Sequence, residues 1–524
     1  DFFGSFALSL GDSLANITSL TPFVNTFLKI FLKNFHLFPR PLHIVLFAGY
    51  TSHMFDFLSS DPAPARRDFS KSIEKDFSGC ADFESRALSA GGVSLTLFYL
   101  DGCVSAAQIS SEIVRPLARS EHDLLTRALD GGVWACTVRQ RFSPEEAVSD
   151  IAAGYAALVF DSESTALTFE VKSVDKRGVN APTVEKSVLG AKDAFVESVR
   201  VNTALLRRRV GKPSLKLWET MLGSETKTRV DILYIEGEAP PEQVERIKAR
   251  LSLPDIPAVL AAGDVEQYLA GTPRGIFPQV IHTERPDRFV LGLARGKIGV
   301  LCDGLPIGFL LPASLPDMLR VQEDRARHAA VATALVLLRY LALFLSLALP
   351  ALYVAIAMYH QEMIPYKLLQ NVIDSKQSVP FSTAAETLGM LLSFELLQEA
   401  GIRLPDPVGQ TVSVIGALIV GQSAVEAKVL SPIVIIVVAM AGIAGYAQPS
   451  QELGAAIRLW RVALVLGAVV LGLYGVMAGL MLLLWQLCDT ENLGVSYLSP
   501  LTDSRPGSLQ RAFLRPPLRK EDRK

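Results

Sequence analysis

Apolar positions are spread along this chain in two different ways. Up to about residue 328 they come in short runs, broken by polar residues and by Gly, Pro and Asp turns; beyond it they come in long runs with almost no charge. In the first part, residues 93–100 (VSLTLFYL) have strand composition and end at an Asp101-Gly102 turn. Residues 111–117 predict a helix. Residues 154–160 (GYAALVF) predict a second apolar strand, with residues 166–171 as its hairpin partner. A second unit begins near Val179. There Asp193 is placed to cap a helix over residues 194–210, and Gly211 and Pro213 supply its stop. Residues 230–235 predict a strand, 241–249 a helix, and 289–293 and 298–302 strands on either side of Arg295-Gly-Lys297. Strands and helices alternate in both units, so the front reads as two α/β or α+β subdomains.

The back reads differently. Residues 329–500 hold 17 charged residues in 172 positions, against 77 in the 328 before them. A membrane-spanning helix takes about 20 apolar residues. Residues 341–358 form one such run, with Arg339 at its edge where it can snorkel to the interface. Residues 412–425 are shorter and include Gly416, Gly421 and Gln422. Residues 432–447 are β-branched and uncharged. Residues 462–487 are long and carry Gly467, Gly472, Gly475 and Gly479. The expectation is four spans. Between the first two, residues 387–400 place Leu388, Leu391, Leu392 and Leu396 at helical spacing and Glu395 and Glu399 one turn apart. This predicts an amphipathic helix, lying at the interface or packed on its own protein, that Gly401 can end.

Composition explains why neither half stands out in the average. The chain has 524 residues, half of them apolar, with net charge −2. Its mean hydropathy of +0.31 nevertheless excludes an ordinary cytosolic enzyme, a disordered chain and a coiled coil. Near-zero net charge gives no reason to expect nucleic acid as a partner. Five scattered cysteines without a CxxC pair argue against a disulfide framework or structural zinc, and for reduced thiols. From Asp503 on there are seven basic residues against three acidic ones, so the C-terminus is expected in the cytoplasm. Residues 22–50 do not match a signal peptide, which places the large N-terminal part there as well, in agreement with an even number of spans. The expected organisation is an unassigned segment 1–60, soluble subdomains 61–178 and 179–328, a transmembrane domain 329–500 and a basic tail 501–524.

Catalytic patterns are absent apart from an isolated SxxK at Ser72–Lys75. No GxSxG, HExxH, P-loop or GxGxxG occurs, and the seven histidines show no metal spacing. The expectation is a non-enzyme without cofactor or metal. Arg207-Arg-Arg209 at the end of a helix either complements the helix dipole or forms a basic patch for an acidic partner or anionic headgroups. Glu395 and Glu399 are further contact candidates for a partner or for lipid. In the second span the amide of Gln422 must face a helix, another subunit or water, and Gly416 and Gly421 permit close helix approach. The short loop at Glu426 and Lys428 makes a helical hairpin. In a ring of copies that hairpin would rim a pore, with Val414, Ile415, Gly416, Ile419 and Gln422 as pore or gate residues.

Ordered motifs add a resemblance. The stretch 185–209 (EKSVLGAKDAFVESVRVNTALLRRR), Thr226-Lys-Thr228, Phe277-Pro278, Thr283-Glu-Arg-Pro-Asp287 and Asp303-Gly-Leu-Pro306 occur in sequence. They are followed by Pro350-Ala-Leu-Tyr-Val354, His360-Gln-Glu-Met-Ile-Pro365, the run 394–405 (FELLQEAGIRLP), Gly409-Gln-Thr411, Val420-Gly-Gln-Ser-Ala-Val425 and Ser431-Pro432. Together they resemble the GerA family, the A subunits of spore germinant receptors, over roughly residues 70–500. The resemblance implies a protein of the spore inner membrane that works with a transporter-like, nutrient-binding B subunit and a lipoprotein C subunit. It further implies self-association into a ring, contact with membrane lipids and a nutrient-gated cation channel that starts germination. Two other readings stay open: an auxiliary A-like protein that amplifies ion release without its own nutrient sensor, and a non-conducting membrane scaffold. Departures from the family pattern are Ser423, where Ala is usual, and Lys192-Asp193, where Pro-Arg is usual.

Overall fold

The structure is a computed structural model. It describes residues 69–90, 93–118, 125, 137–172, 182, 184–185, 187, 189–252, 257–272, 275–377, 379–403, 421–503 and 508–514. Segment 1–60 therefore lies outside the described residues.

The first sheet is built from two hairpins and a returning edge strand. Helix α1 (Phe69–Asp76) precedes the pair β1 (Phe83–Ala90) and β2 (Val93–Leu100). Then come a helical stretch at 106–118, β3 (Val138–Arg141), α2 (Pro144–Ala152), β4 (Ala156–Phe160) and β5 (Thr165–Phe169). The order is β1-β2-β4-β5-β3 and every pairing is antiparallel. β4 and β5 are buried at all five positions, because both faces of the sheet are covered. On one face Leu95, Leu97, Leu158 and Leu167 meet Ile109 and Ile113 of the helical stretch. On the other Phe98, Ala157 and Val159 meet Ile73 of α1 and Ile151 of α2.

The second sheet follows α3 (Val199–Val210). Its strands are β6 (Leu215–Leu222), β7 (Thr228–Ile235), β8 (Ile281–Thr283), β9 (Ile298–Cys302) and β10 (Gly308–Leu311), in the order β6-β7-β9-β10-β8. All of these pairings are antiparallel too. The front is therefore α+β, and the α/β alternative falls: hairpins such as β6–β7 and β9–β10 join neighbouring strands directly, with no crossover helix between parallel strands. Helices α4 (Pro241–Leu251) and α5 (Ala262–Leu269) cover one face through Val244, Ile247 and Val265. α3 and α6 (Pro286–Leu293) cover the other through Val199, Leu206, Phe289 and Leu293. Two further expectations need correcting here. Residues 289–293 are helix and not strand, since Pro286 sits in the first turn and Phe289 and Leu293 fall one turn apart on the buried face. The helix expected over 194–210 starts at Val199, with Ser198 at the N-cap position in place of Asp193.

Apolar helices continue the second core. They are α7 (Ala329–Tyr359), α8 (Tyr366–Lys376), α9 (Thr383–Arg403), α10 (Pro432–Tyr446), α11 (Gln451–Leu471) and α12 (Leu473–Asp489). A small hairpin, β11 (Glu491–Asn492) and β12 (Val495–Ser496), and helix α13 (Ser508–Phe513) end the described chain. By length and composition α7 and α11 can each cross a membrane, while α10 and α12 are shorter apolar helices. The second expected span falls mostly outside the described residues, of which only 421–426 are helical here. The fourth expected span is not one helix. Gly472, at φ +58° and ψ −135°, breaks it. Trp460 Nε1 then donates to Gln486 Oε1 at 3.0 Å across an antiparallel pair, and Gly467 and Gly475 meet backbone to backbone.

Contacts fix the direction of each helix. The start of α7 lies at the sheets, where Arg339 binds Asp324; its end lies against Gly472, where the Tyr359 hydroxyl donates to Val469 O at 2.5 Å. α10 runs the other way. Ser431, just before it, donates its N–H to Glu386, and Gln448, just after it, donates to Arg339 O. α11 runs away from the sheets and α12 returns to them, so the ends of the helical region share the sheet side. α9 packs beside α10, with the Phe394 ring against Gly442 and 6.2 Å from the Tyr446 ring.

Candidate functional site: the joints between sheets and helices

Among the described residues, charged and polar groups tie the sheets and helices together at two joints. The first ties the two sheets together through α3. Ala81 N–H donates to Leu217 O at 2.8 Å, and Cys80 pairs with Leu217 in a parallel bridge. Arg207, 1% exposed, makes a two-pronged pair with Asp82: Nε at 2.8 Å and Nη2 at 2.7 Å. Its Nη1 donates to Leu215 O at 2.6 Å, so every edge of the guanidinium is engaged. Two turns earlier, Arg200 reaches Asp101 of the first sheet at 3.3 Å and Glu219 of the second at 2.6 Å. Asp231, opposite Glu219 on β7, is fully buried and 3.9 Å from Arg200. Burial pushes its carboxyl up to about 7; Arg200 pulls against this and Glu219 adds to it.

The second joint ties the second sheet to the apolar helices. His282 on β8 lies between two carboxylates: its Nδ1 contacts Glu452 in the first turn of α11, and its Nε2 is 3.7 Å from Glu266 of α5. Desolvation alone would lower the imidazole pKa, but the hydrogen bond and charge of Glu452, with Glu266 behind, hold it above its ordinary value. These three residues offer ligand atoms within 4.8 Å of one another, the one such group among the described residues. Each carboxylate addresses a different ring nitrogen, which suits a protonated imidazole between two acceptors better than one shared ion. Close by, Arg250 Nη1 donates to Asn492 Oδ1 at 3.0 Å and to Leu269 O at 3.0 Å, and Asn492 donates to Gln279 O at 3.3 Å. Leu315 N–H donates to Tyr497 O at 2.8 Å. Arg339 pairs with Asp324 through both of its terminal nitrogens, so it is tied to protein and does not snorkel.

Inside the helical bundle one polar cluster spans three residues' reach. Arg461 of α11, 2% exposed, binds Glu395 of α9 at 2.6 Å, and Arg458 binds Glu395 at 3.4 Å and Gln398 at 2.6 Å. Arg461 lies about 15 Å along the helix from its sheet-side start. A charge at that depth requires its partner, so the pair fixes α9 against α11.

Comparison with known proteins places this architecture. Residues 71–524 match the family model described as Bacillus/Clostridium GerA spore germination protein. The chain belongs to the GerA family. Among relatives, the "Uncharacterized membrane protein YfkQ" of Bacillus subtilis (strain 168) is 34% identical over 84% of this chain and 86% of its own length. "Spore germination protein KA" of the same organism is 33% identical over 81% and 79%. "Spore germination protein GerQA" of Bacillus cereus is 36% identical over 71% and 75%. A solved structure, the N-terminal domain of the A subunit of the Bacillus megaterium spore germinant receptor GerK3, overlaps 46% of this chain and 92% of its own at TM-score 0.36 and 24% identity.

Within this GerA chain the motif residues are mostly structural cement. In the Thr283–Asp287 turn, Arg285 is 1% exposed and holds Asp287 at 2.7 Å and 3.0 Å, while Arg288 binds Glu185. That agrees with a salt-bridged corner. Arg207 is a correction: as a buried partner of Asp82 it cannot be a surface contact. Arg208 and Arg209 are both exposed, and Arg209 pairs with Asp193 at 2.5 Å. Glu395 is likewise spent inside the bundle, whereas Glu399 is exposed. Gln422 is exposed and donates to Glu426 Oε1 of its own helix at 3.2 Å. Val414, Ile415, Gly416 and Ile419 lie outside the described residues. Sequence reasoning missed His282, Glu452, Arg458 and Arg461. The two arginines carried a signal: cations three apart on one helix face call for an acidic neighbour, and Glu395 was the available one.

Proposed function

We propose that this GerA-family chain is the A subunit of a spore germinant receptor, a membrane protein that relays nutrient binding on a partner into an ion path. In this reading copies assemble in a ring with a transporter-like B subunit and a lipoprotein C subunit in the spore inner membrane. The helical hairpin around Gln422 rims the path. It is a receptor subunit and not an enzyme. Family membership over residues 71–524, with relatives named spore germination proteins, is the observation that carries the reading. The architecture supports it physically. One continuous apolar core runs from Leu217 and Leu301 of the second sheet through Leu315 and Tyr497 to Val354, Leu453 and Val465 of the helices. A displacement at the sheets therefore repacks the bundle and is not absorbed by a linker. A ligand acting on a partner biases two packings of such a core by its differential affinity for them.

The test is reconstitution of the chain with its B and C subunits in planar bilayers. Nutrient-dependent conductance is expected, altered by Gln422→Leu. Silence with all subunits present would leave the scaffold reading in its place.

A further inference from the structure

Strand β8 is an edge of the second sheet and pairs with β10. Its alternation sends Ile281 into the core shared with the apolar helices. His282 falls opposite Phe309, and the two rings meet at right angles with 5.2 Å between centroids. On that face His282 also meets carboxylates from two other elements. Its Nδ1 contacts Glu452 in the first turn of α11, and its Nε2 lies 3.7 Å from Glu266 of α5. The three residues offer atoms within 4.8 Å of one another. α5 covers the second sheet, whereas α11 is long and apolar enough to cross a membrane. One imidazole therefore stands at the seam between sheet domain and bundle.

What holds this seam depends on one proton. A charged imidazole donates from both nitrogens, one to each carboxylate. A neutral one has a single N–H; it keeps one carboxylate and turns a lone pair to the other. Two carboxylates then face each other with no cation between them, in a partly buried place where water screens them poorly. Burial alone would make the imidazole shed its proton easily, but the hydrogen bond and charge of Glu452, with Glu266 behind, hold its pKa above the ordinary value. Glu266 is bound to the same event: burial and Glu452 raise its carboxyl, and His282 lowers it. Among the described residues no other charge acts on the ring. β10 offers the uncharged Phe309, and the segment after α12 offers Tyr497, a phenol near Glu452 that burial keeps neutral. The imidazole is 20% exposed, so protons from the medium reach it.

We propose that His282, Glu266 and Glu452 form a proton-operated latch, which holds the start of α11 against the sheet domain and releases it when the medium on the sheet side turns alkaline. The inference rests on contacts within one chain and not on the receptor role. A group whose pKa is raised by folding stabilises the fold below its unfolded value, roughly pH 6.5 for histidine, and loses that effect as pH rises through the folded value. The latch is therefore closed in acid and opens in base. Its release has a direct route into the bundle, because Arg458 and Arg461 tie the same helix to α9 through Glu395.

Hydrogen exchange of the full-length chain in detergent, followed from about pH 6 to about pH 9 and corrected for the chemical exchange rate at each pH, tests the latch. Asp231→Asn serves as the background, since Asp231 titrates in the same direction. Protection in β8 and in the first two turns of α11 is expected to fall with rising pH, about tenfold for each unit by which folding raises the His282 pKa. The first sheet should keep its protection. His282→Gln should abolish the fall, with low protection in both strand and helix at every pH. Glu452→Gln removes the stronger partner and should move the loss to lower pH, which keeps the test open if His282→Gln does not fold. A fall as large in His282→Gln as in the background overturns the latch, as does a midpoint that Glu452→Gln leaves in place. An equal fall across both sheets also overturns it, since the chain would then be unfolding as a whole.

Discussion

At the scale of single residues, the most consequential groups are those whose burial removes any choice about their partner. Arg207 and Asp82 are 1% exposed each and bind through two short hydrogen bonds. Removing one partner strands a charge in the core. Asp82→Ala should therefore cost about 3–5 kcal/mol of unfolding free energy, and Asp82→Leu combined with Arg207→Met should recover a large part of it. Chemical denaturation of the purified protein checks both; equal losses for the single and double variants would show that the pair is not coupled. Asp231 makes a pH prediction. Its folded carboxyl titrates at about 7, above the ordinary carboxylate range, with burial as the main cause. The folded state then binds a proton that the unfolded state has already released. Stability from this group is fully present below about pH 4 and is lost as pH rises through 7. Asp231→Asn should flatten that decline, by about 4 kcal/mol at most, and leave the variant the more stable form at pH 8. Thermal unfolding from pH 5 to 8 tests the sign. None of this was legible in the sequence, where Arg207 is one of three adjacent arginines and nothing marks it as the inward one.

Elements were more legible where local chemistry and tertiary demand agree. Residues 93–100 and 298–302 form the expected strands with the expected bounds, because their β-branched and apolar runs end at Asp-Gly turns that the sheet also needs. Residues 289–293 misled because four apolar residues and a glycine fit either period, and only the sheet beneath decides. Phe289 packs on the bare backbone of Gly299 and Gly308, a seat that a helical side chain fills from above. The long run 462–487 misled for a different reason. Hydropathy does not see direction, and Gly472 reverses the chain without lowering it. Its φ of +58° with ψ of −135° is a conformation that side chains resist, and a Cβ there would also lie 3.0 Å from the Tyr359 ring. Gly472→Ala should accordingly destabilise the α11–α12 hairpin by about 1–3 kcal/mol. Weakened protection of the Trp460–Gln486 region in hydrogen exchange is the expected signature. Unchanged exchange there would mean that the turn tolerates a side chain.

The whole molecule joins these pieces through placement rather than through any one residue. Mean hydropathy and the charge asymmetry announced a soluble front and an apolar back, but not that the two share a core. That sharing follows from β11, β12 and Tyr497 returning from α12 to the second sheet, a contact some 180 residues from Leu315 in the chain that no local pattern encodes. The same return fixes sidedness. The ends of the helical region meet the sheets, while the stretch around Gln361–Met363 and the turn before Pro432 lie at the far end beside Glu386 and Gly472. If the helices cross the bilayer as proposed, Glu362 and Glu242 face opposite compartments, and both are exposed. Cysteine substitution at each tests this against a background of Cys136→Ser and Cys488→Ser. The remaining Cys80, Cys103 and Cys302 are buried and carry little reactivity, since burial raises the Cys103 and Cys302 thiols to about 11 and about 12. A membrane-impermeant maleimide should label Glu362→Cys in intact cells and Glu242→Cys only after lysis. Labelling of both from the same side would separate the sheet-to-helix core, which the packing supports, from its orientation across a membrane, and would require the apolar helices to be re-read as the inside of a soluble assembly.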